Sequence, residues 1–167
     1  MRHGISSFFL VVLAAIAGSA HAHVVLEQPQ AEAGSRYKAV LRVGHGCGES
    51  PVTELIVQIP PGVRSARPMA KPGWQIAITR SGADVTQIRW SGGRLDPAQF
   101  DDFVLLAKLP EQPGPLYWKI SQICESGRDD WVEVPAAGQS LHELKAPAAL
   151  LDVRPAAPAS AAAAHQH

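Results

Sequence analysis

The sequence predicts an all-β protein, and two patterns in its central part support this fold class. Glycine or proline recurs roughly every ten residues, and the runs between them alternate apolar and polar side chains, as in RYKAVLRV at 36–43. Period-two alternation is typical of strands with one buried face, and short strands at regular spacing indicate an antiparallel sandwich or barrel. We therefore predict an immunoglobulin-like antiparallel β-sandwich.

About eight short strands follow from this alternation, and the body shows no sustained helical period. The predicted strands are 23–27, 36–43, 52–59, 74–79, 85–90, 103–109, 116–123 and 131–134. The one helical candidate, 140–145, is brief. Three tryptophans on or next to these strands, Trp74, Trp90 and Trp118, are predicted to lie in the core rather than at a functional site.

The first 22 residues have the three parts of a secretory signal peptide. Arg2 makes the start positive, 8–17 is apolar, and Ala20-His21-Ala22 fits the A-x-A cleavage pattern. The apolar stretch is too short to span a bilayer, which takes about 20 residues, and no later segment approaches that length. Cleavage after Ala22 would leave 145 residues beginning with His23, located in the periplasm or secreted.

The mature chain is predicted to consist of one domain, 23–145, and a tail, 146–167. The tail is rich in alanine and proline, so it is expected to be flexible, because such sequence buries too little apolar surface to offset its ordering entropy. Without Arg2 the chain has 14 basic and 15 acidic residues. This near-neutral balance argues against nucleic acid or an anionic membrane as partner, since both need a concentrated basic patch.

The two cysteines, Cys47 and Cys124, are predicted to form one disulfide. An even cysteine count in an exported chain favours a bridge, because disulfides persist in oxidising compartments. A thiolate copper site is the alternative, but two isolated cysteines lack the close spacing of a soft-metal motif.

A mature chain that begins with histidine can chelate a metal ion. The α-amine and the imidazole Nδ1 of His23 can close a ring around the metal, and a free α-amine releases its proton readily because its reference pKa is about 7.7–8.0. Two nitrogens suit the tetragonal sites that Cu(II) prefers, and Met69 is the only methionine left for a thioether Cu(I) site. The alternative interpretation is that His23 merely follows the cleavage site.

An ordered series of motifs runs through the mature chain. It comprises HVVLEQPQAEAG (23–34), GHGC (44–47), IPPGV (59–63), PGW (72–74), FDDF (100–103), LP (109–110), QIC (122–124) and WVE (131–133). In the order and spacing of these motifs, the chain resembles the YcnI family of exported copper-binding proteins, and the resemblance covers nearly all of the mature domain. The resemblance implies a β-sandwich that binds Cu(II) through the amine and imidazole of its N-terminal histidine, a single-histidine brace.

The resemblance also implies which residues form the site. His23 matches the metal-binding histidine, and Trp131 matches a tryptophan that lies close to the metal. A carboxylate ligand is expected just before the second aromatic residue of the FDDF run, where this sequence has Asp102. Because the family pattern leads us to expect the longer glutamate there, three other acidic residues stay open as ligands: Asp101, Glu27 and Glu49.

The remaining histidines have simpler interpretations. His45 is predicted to be a turn residue beside the disulfide, with a second imidazole ligand as the alternative, and His142 is predicted to lie at the surface. The pair His165 and His167 is expected to bind Cu(II) weakly. Cleavage after Ala20 instead would give a mature chain that begins His21-Ala22-His23. A histidine in third place binds Cu(II) through the amine, two backbone nitrogens and the imidazole, so that such a site does not depend on the fold.

The predicted function is a non-enzymatic Cu(II) carrier or sequestering protein. Its partners would be the copper ion and another exported or membrane copper protein. One alternative is a copper-dependent oxidative enzyme of the polysaccharide monooxygenase type, which would need a second imidazole such as His45 near His23. The other is a β-sandwich interaction module without metal. The sequence shows no constellation typical of a hydrolase.

Overall fold

A computed structural model describes residues 23–157 of the chain. Within this range twelve strands form three sheets, and the helical structure consists of one 3₁₀ turn, Leu141–Glu143. No helix in the described range is long and apolar enough to cross a membrane. The strands are β1 (Val25–Leu26), β2 (Gln30–Glu32), β3 (Arg36–Val43), β4 (Val52–Gln58), β5 (Arg64–Pro68), β6 (Gln75–Ser81), β7 (Asp84–Leu95), β8 (Asp101–Lys108), β9 (Gly114–Trp118), β10 (Ile120–Cys124), β11 (Arg128–Trp131) and β12 (Ala149–Arg154).

The two larger sheets are antiparallel throughout. One has the order β1-β3-β8-β5 and the other the order β11-β10-β4-β7-β6. The third sheet has the order β2-β12-β9, and its β2–β12 pair is parallel. The alternating sequence of β3 explains its role, because every second side chain from Tyr37 to Val43 is buried while Arg36 and Lys38 are exposed.

One hydrophobic core contains residues of both larger sheets. Phe103 of β8 lies at its centre, with Trp74 at 5.0 Å and Trp90 at 5.6 Å between ring centroids, both edge-to-face. Trp90 and Trp118 are fully buried, and Trp74 is half-buried against the core. The prediction of core positions is confirmed for Trp90 and Trp118, whereas Trp74 packs against the core from a partly buried position.

The predicted disulfide between Cys47 and Cys124 is present. Its Cα atoms are 6.1 Å apart, within the usual range, and the N–H of Cys47 donates to Cys124 Sγ at 3.0 Å. The bridge spans a sequence separation of 77 residues, so it restricts the unfolded chain and stabilises the fold by about 4 kcal/mol in the chain-entropy model. It also fixes the loop after β3 to the end of β10.

The structure corrects several boundaries. The predicted tail is wrong in its first part, because Ala149–Arg154 forms β12 with Leu151 and Val153 buried. Two further strands, β2 and β5, were not predicted, and the predicted strand 116–123 is divided between β9 and β10, which belong to different sheets. The helical candidate is only a 3₁₀ turn. The predicted signal peptide, 1–22, and the His165/His167 pair lie outside the described residues.

Candidate metal site

His23 and Trp131 meet at one edge of the sandwich. Their ring centroids are 5.0 Å apart and their planes are inclined by 77°, an edge-to-face contact. Such aromatic contacts are worth about 0.5–1.5 kcal/mol beyond the area that they bury. Trp131 is 4% exposed and His23 is half-buried. The structure therefore brings together two of the three predicted site residues.

The two residues belong to edge strands of different sheets. His23 precedes β1, the edge of the four-stranded sheet, and Trp131 ends β11, the edge of the five-stranded sheet, opposite Ile120 of β10. A polar cluster holds β11 on β10, because Asp130 accepts from Arg128 Nε at 2.7 Å and from Ser121 Oγ at 2.5 Å. The Arg128 guanidinium, helped by the Ser121 hydroxyl, holds the pKa of Asp130 below its usual value.

A groove of about 450 Å³ opens beside His23. Its walls are mostly apolar and come from β1, the start of β12 and the segment between Leu141 and Ala148. His142 borders this groove together with His23, and the two also share an adjoining depression with Glu143. His142 is exposed, as predicted, but its position beside the groove was not predicted, because only the tertiary fold brings 141–148 to β1.

Glu133 fixes the segment that carries His142. Its Oε2 accepts the backbone N–H groups of Lys145 and Ala146, both at 2.9 Å. The N–H groups of Val132 and Glu133 in turn donate to the carbonyl of Ala146. These bonds connect the groove wall to the chain just after Trp131. The WVE motif contains this glutamate, but its role could not be read from the sequence, since its partners are backbone groups.

Asp102 lies next to Arg42 and forms a bidentate ion pair with it. Arg42 Nε and Nη2 donate to the two carboxylate oxygens, both at 2.9 Å, and this pairing raises the pKa of Arg42. The register places Arg42 between Val25 of β1 and Asp102 of β8. Since neighbouring strands are about 4.8 Å apart, the backbone of Asp102 lies two strand spacings from β1. The pair uses one lone pair on each carboxylate oxygen, and Asp102 as a metal ligand stays a prediction.

Residues 23–153 match one protein family, described as "Domain of unknown function (DUF1775)". The chain belongs to the DUF1775 family. YcnI-like families, which the motif series resembles, carry this domain. The match begins at His23, the residue at which the mature chain is predicted to start.

This DUF1775 chain is also similar to a protein from Nocardia farcinica whose crystal structure reveals an immunoglobulin-like fold. The two are 28% identical, the similarity covers 78% of this chain and 97% of that one, and the TM-score is 0.67. The predicted immunoglobulin-like fold is thereby confirmed. A comparison with curated proteins found no match.

The other candidate acids of this DUF1775 chain are not assembled around His23. Asp101 pairs with Lys71 at 2.7 Å, Glu27 lies 3.7 Å from Arg42 Nη2, and Glu49 is exposed in the loop after Cys47. Within 23–157 no group of three or more His, Cys, Asp or Glu side chains is placed to hold a metal ion. If the mature chain begins at His23, as the sequence predicts, its α-amine would add one nitrogen ligand to the imidazole of that residue.

Four buried side-chain nitrogens have no hydrogen-bond partner in the described part of the chain. Two are the indole nitrogens of Trp90 and Trp118 in the core, and the others are Trp131 Nε1 and His45 Nε2. Most buried polar groups in folded proteins have a partner, so each exception calls for an explanation. Trp131 is the one of the four residues that contacts His23.

Proposed function

We propose that this DUF1775 protein is an exported, non-enzymatic Cu(II)-binding protein that carries or sequesters copper through His23. The observation that supports the proposal most is the contact between His23 and Trp131. The two residues are far apart in the sequence, and the resemblance to exported copper-binding proteins implies that both lie at the metal.

The chemistry of the site fits Cu(II) better than a hard cation. Mg²⁺ and Ca²⁺ prefer several oxygen ligands, often carboxylates, and within 23–157 no group of three or more His, Cys, Asp or Glu side chains is placed to hold a metal ion. The amine and Nδ1 of His23 form a two-nitrogen chelate, and nitrogen ligands favour Cu(II) among the divalent metals. The edge of Trp131 and the apolar groove limit the access of water to one side of the ion, which would slow ligand exchange.

The compartment and the partner follow from the same proposal. The amine ligand exists only after a signal peptide is removed, and the Cys47–Cys124 disulfide is compatible with an oxidising compartment. We therefore place the protein in the periplasm or outside the cell, where it would exchange Cu(II) with another exported or membrane copper protein. Binding without turnover is proposed, so copper is the cargo of this protein.

A competition titration with a chromogenic chelator tests the proposal. The exported chain is first analysed by mass spectrometry to establish that it begins with His23, and His165→Ala with His167→Ala removes weak binding at the chain end. We expect one Cu(II) per chain, and a loss of affinity of at least ~100-fold, about 2.7 kcal/mol, on His23→Ala.

The matched control is His142→Ala, which removes the other imidazole that borders the same groove. It should leave the affinity within threefold of the parent chain. Equal affinity of the His23→Ala variant and the parent chain would contradict copper binding at His23.

A further inference from the structure

We infer that one face of the four-stranded sheet docks on an anionic phospholipid membrane. This face, called the basic face below, is the outward surface formed by the first part of β3, the last part of β8 and β5. It consists of five basic residues and one exposed leucine: Arg36, Lys38, Arg64, Arg67, Lys108 and Leu106. Such docking does not require copper.

The strand register collects these residues in two adjacent rows. Lys108 of β8 is paired with Arg36 of β3 on one side and with Arg64 of β5 on the other. The next row on the same face contains Lys38, Leu106 and Arg67. Neighbouring strands are about 4.8 Å apart and successive rows about 7 Å apart, so five cationic side chains leave the sheet within a small area. The near-neutral charge of the chain gave no sign of this patch, because composition does not show which residues the register brings together.

A strained bulge in β5 places both of its arginines on the outer face. Arg64 and Arg67 are three residues apart, so in a regular strand they would point to opposite faces. The register shifts between them, and Ser65 is the one non-glycine residue within 23–157 that has a positive φ, 52°. Backbone of this kind is unfavourable for serine, and strained residues often occur at functional sites. The consequence of the strain here is a second exposed arginine, beside Leu106.

The charges of the basic face are almost uncompensated. Residues 23–157 contain all 15 acidic residues of the chain, and of the five basic residues only Lys108 forms an ion pair there, with Glu111 at 3.3 Å. The other end of the same sheet differs, because Arg42 is paired with Asp102. Like charges that lie directly opposite each other on neighbouring strands destabilise a sheet. An anionic partner would remove this repulsion.

The chemistry of the basic face fits lipid headgroups. A depression of about 200 Å³ is bordered by Arg36, Ser65, Arg67 and Lys108 and receives one phosphate group in the proposed complex. Guanidinium groups bind phosphate oxygens in pairs, and lysine binds phosphate as a point charge. Leu106 is 55% exposed between these cations. An exposed apolar side chain among cations supplies both signals for binding at a membrane interface, whereas an acidic protein surface offers Leu106 no hydrocarbon layer.

Docking through the basic face would leave the edge around His23 accessible. Val25, two residues after His23, is paired with Arg42 of β3. Arg36 lies at the other end of this strand, about 20 Å from Arg42 at the usual rise per residue. The chain would therefore contact the membrane at one end of the sheet and present His23 at the other.

Cosedimentation of the full mature chain with vesicles tests this inference. Vesicles of phosphatidylcholine alone are compared with vesicles in which about one third of the lipid is phosphatidylglycerol, at low and at physiological salt. We expect at least ~10-fold stronger partitioning to the anionic vesicles, weakened by salt. The reason is that each basic residue near an anionic surface contributes about fivefold.

Two variants locate the binding surface. Arg64→Gln with Arg67→Gln should lower partitioning to the anionic vesicles by at least ~10-fold. The matched control, Arg80→Gln with Arg94→Gln, removes two exposed arginines of the five-stranded sheet and changes the net charge equally, and it should keep partitioning within about threefold of the parent chain. Leu106→Ser should weaken partitioning at both salt concentrations. All these side chains are exposed, so the variants are expected to fold, which thermal unfolding reports.

Equal partitioning of the parent chain to neutral and anionic vesicles would overturn membrane docking. An equal loss in the two double variants, or unchanged partitioning of Leu106→Ser, would overturn the assignment of the basic face. Binding to soluble polyglutamate, to an oligonucleotide or to inorganic phosphate without binding to vesicles would show a different anionic partner and would also overturn membrane docking. None of these outcomes bears on copper binding at His23.

Discussion

Two regions of this molecule contain the residues that the sequence predicted as copper ligands, and they differ in how their polar groups are satisfied. In the first region, on the neighbouring strands β1, β3 and β8, Arg42 and Asp102 form a bidentate ion pair and Glu27 lies near Arg42. At the sandwich edge, His23 contacts a buried tryptophan whose indole N–H has no partner within 23–157.

The difference shows that the residue types alone do not locate a site. Arg42 and Asp102 already compensate each other's charge, whereas the imidazole of His23, a good ligand for Cu(II), lies at the edge against Trp131, whose indole N–H can donate a hydrogen bond but cannot bind a metal. The edge around His23 and Trp131 is therefore the better candidate, and the Arg42–Asp102 pair is better explained as a structural contact between β3 and β8.

The largest effect is expected from removing the Cys47–Cys124 disulfide, which anchors the loop after β3 to the end of β10, the strand that is paired with β11 and Trp131. Cys47→Ser with Cys124→Ser should lower the free energy of unfolding by about 4 kcal/mol, because the unfolded chain regains the freedom of a long loop. Urea unfolding monitored by fluorescence measures this. A loss below about 1 kcal/mol would show that the bridge contributes little.

A smaller effect is expected from Trp131→Phe. The smaller ring leaves a void and a weaker contact with His23, so stability should fall by about 1–2 kcal/mol and the Cu(II) EPR spectrum should change. Trp90→Phe is the matched control, because Trp90 is also buried with an unpartnered indole nitrogen but lies in the core. It should lower stability similarly and leave the spectrum unchanged. Identical spectra for the two variants would remove Trp131 from the metal site.

Acid unfolding should reveal the Asp130 cluster that holds β11. Because Arg128 and Ser121 lower the pKa of Asp130 in the folded state, its ionised form stabilises the fold above the usual pKa of an aspartate. That contribution is lost as the pH falls below about 4 and through the lowered pKa. The free energy of unfolding should fall less on acidification in Asp130→Asn than in the parent chain. We expect the difference to be below about 1 kcal/mol, since the Arg128–Asp130 pair is largely exposed. An unchanged pH dependence of stability would contradict this.

The smallest effect is expected from Asp102→Asn. Cu(II) affinity should stay within threefold of the parent chain, and stability should fall by less than about 1 kcal/mol, because the ion pair is partly exposed. Arg42→Gln, which frees the carboxylate, should likewise leave the affinity unchanged. A loss of affinity above tenfold in Asp102→Asn would instead restore Asp102 as a ligand.

The sequence predicted strands where alternation is regular and missed them where it is not. The pattern of β3 is strict, and its bounds were predicted correctly. In β5 the run RSARP has little alternation, and Ser65 has a φ of 52° where the register shifts. The run ALLDVR of β12 was hidden by the alanine- and proline-rich sequence on both sides, so the tail was predicted to begin too early.

The candidate site was predictable in part. The series of motifs led to His23 and Trp131, and the structure shows them in contact. The partner of Asp102 was not predicted, because the pairing with Arg42 depends on the register between β3 and β8. The free nitrogen of His45 and the bonds of Glu133 also depend on which backbone groups the fold brings close, and side-chain patterns carry no information about these.

The central claim is that the α-amine of His23 is a copper ligand. The most direct test compares the Cu(II) EPR spectrum and affinity of the chain that begins at His23 with those of the same chain extended by one glycine. The extension keeps every side chain but moves the amine away from the imidazole, so we expect a changed spectrum and at least ~100-fold weaker binding. An unchanged spectrum and affinity would contradict copper binding through the N-terminal histidine.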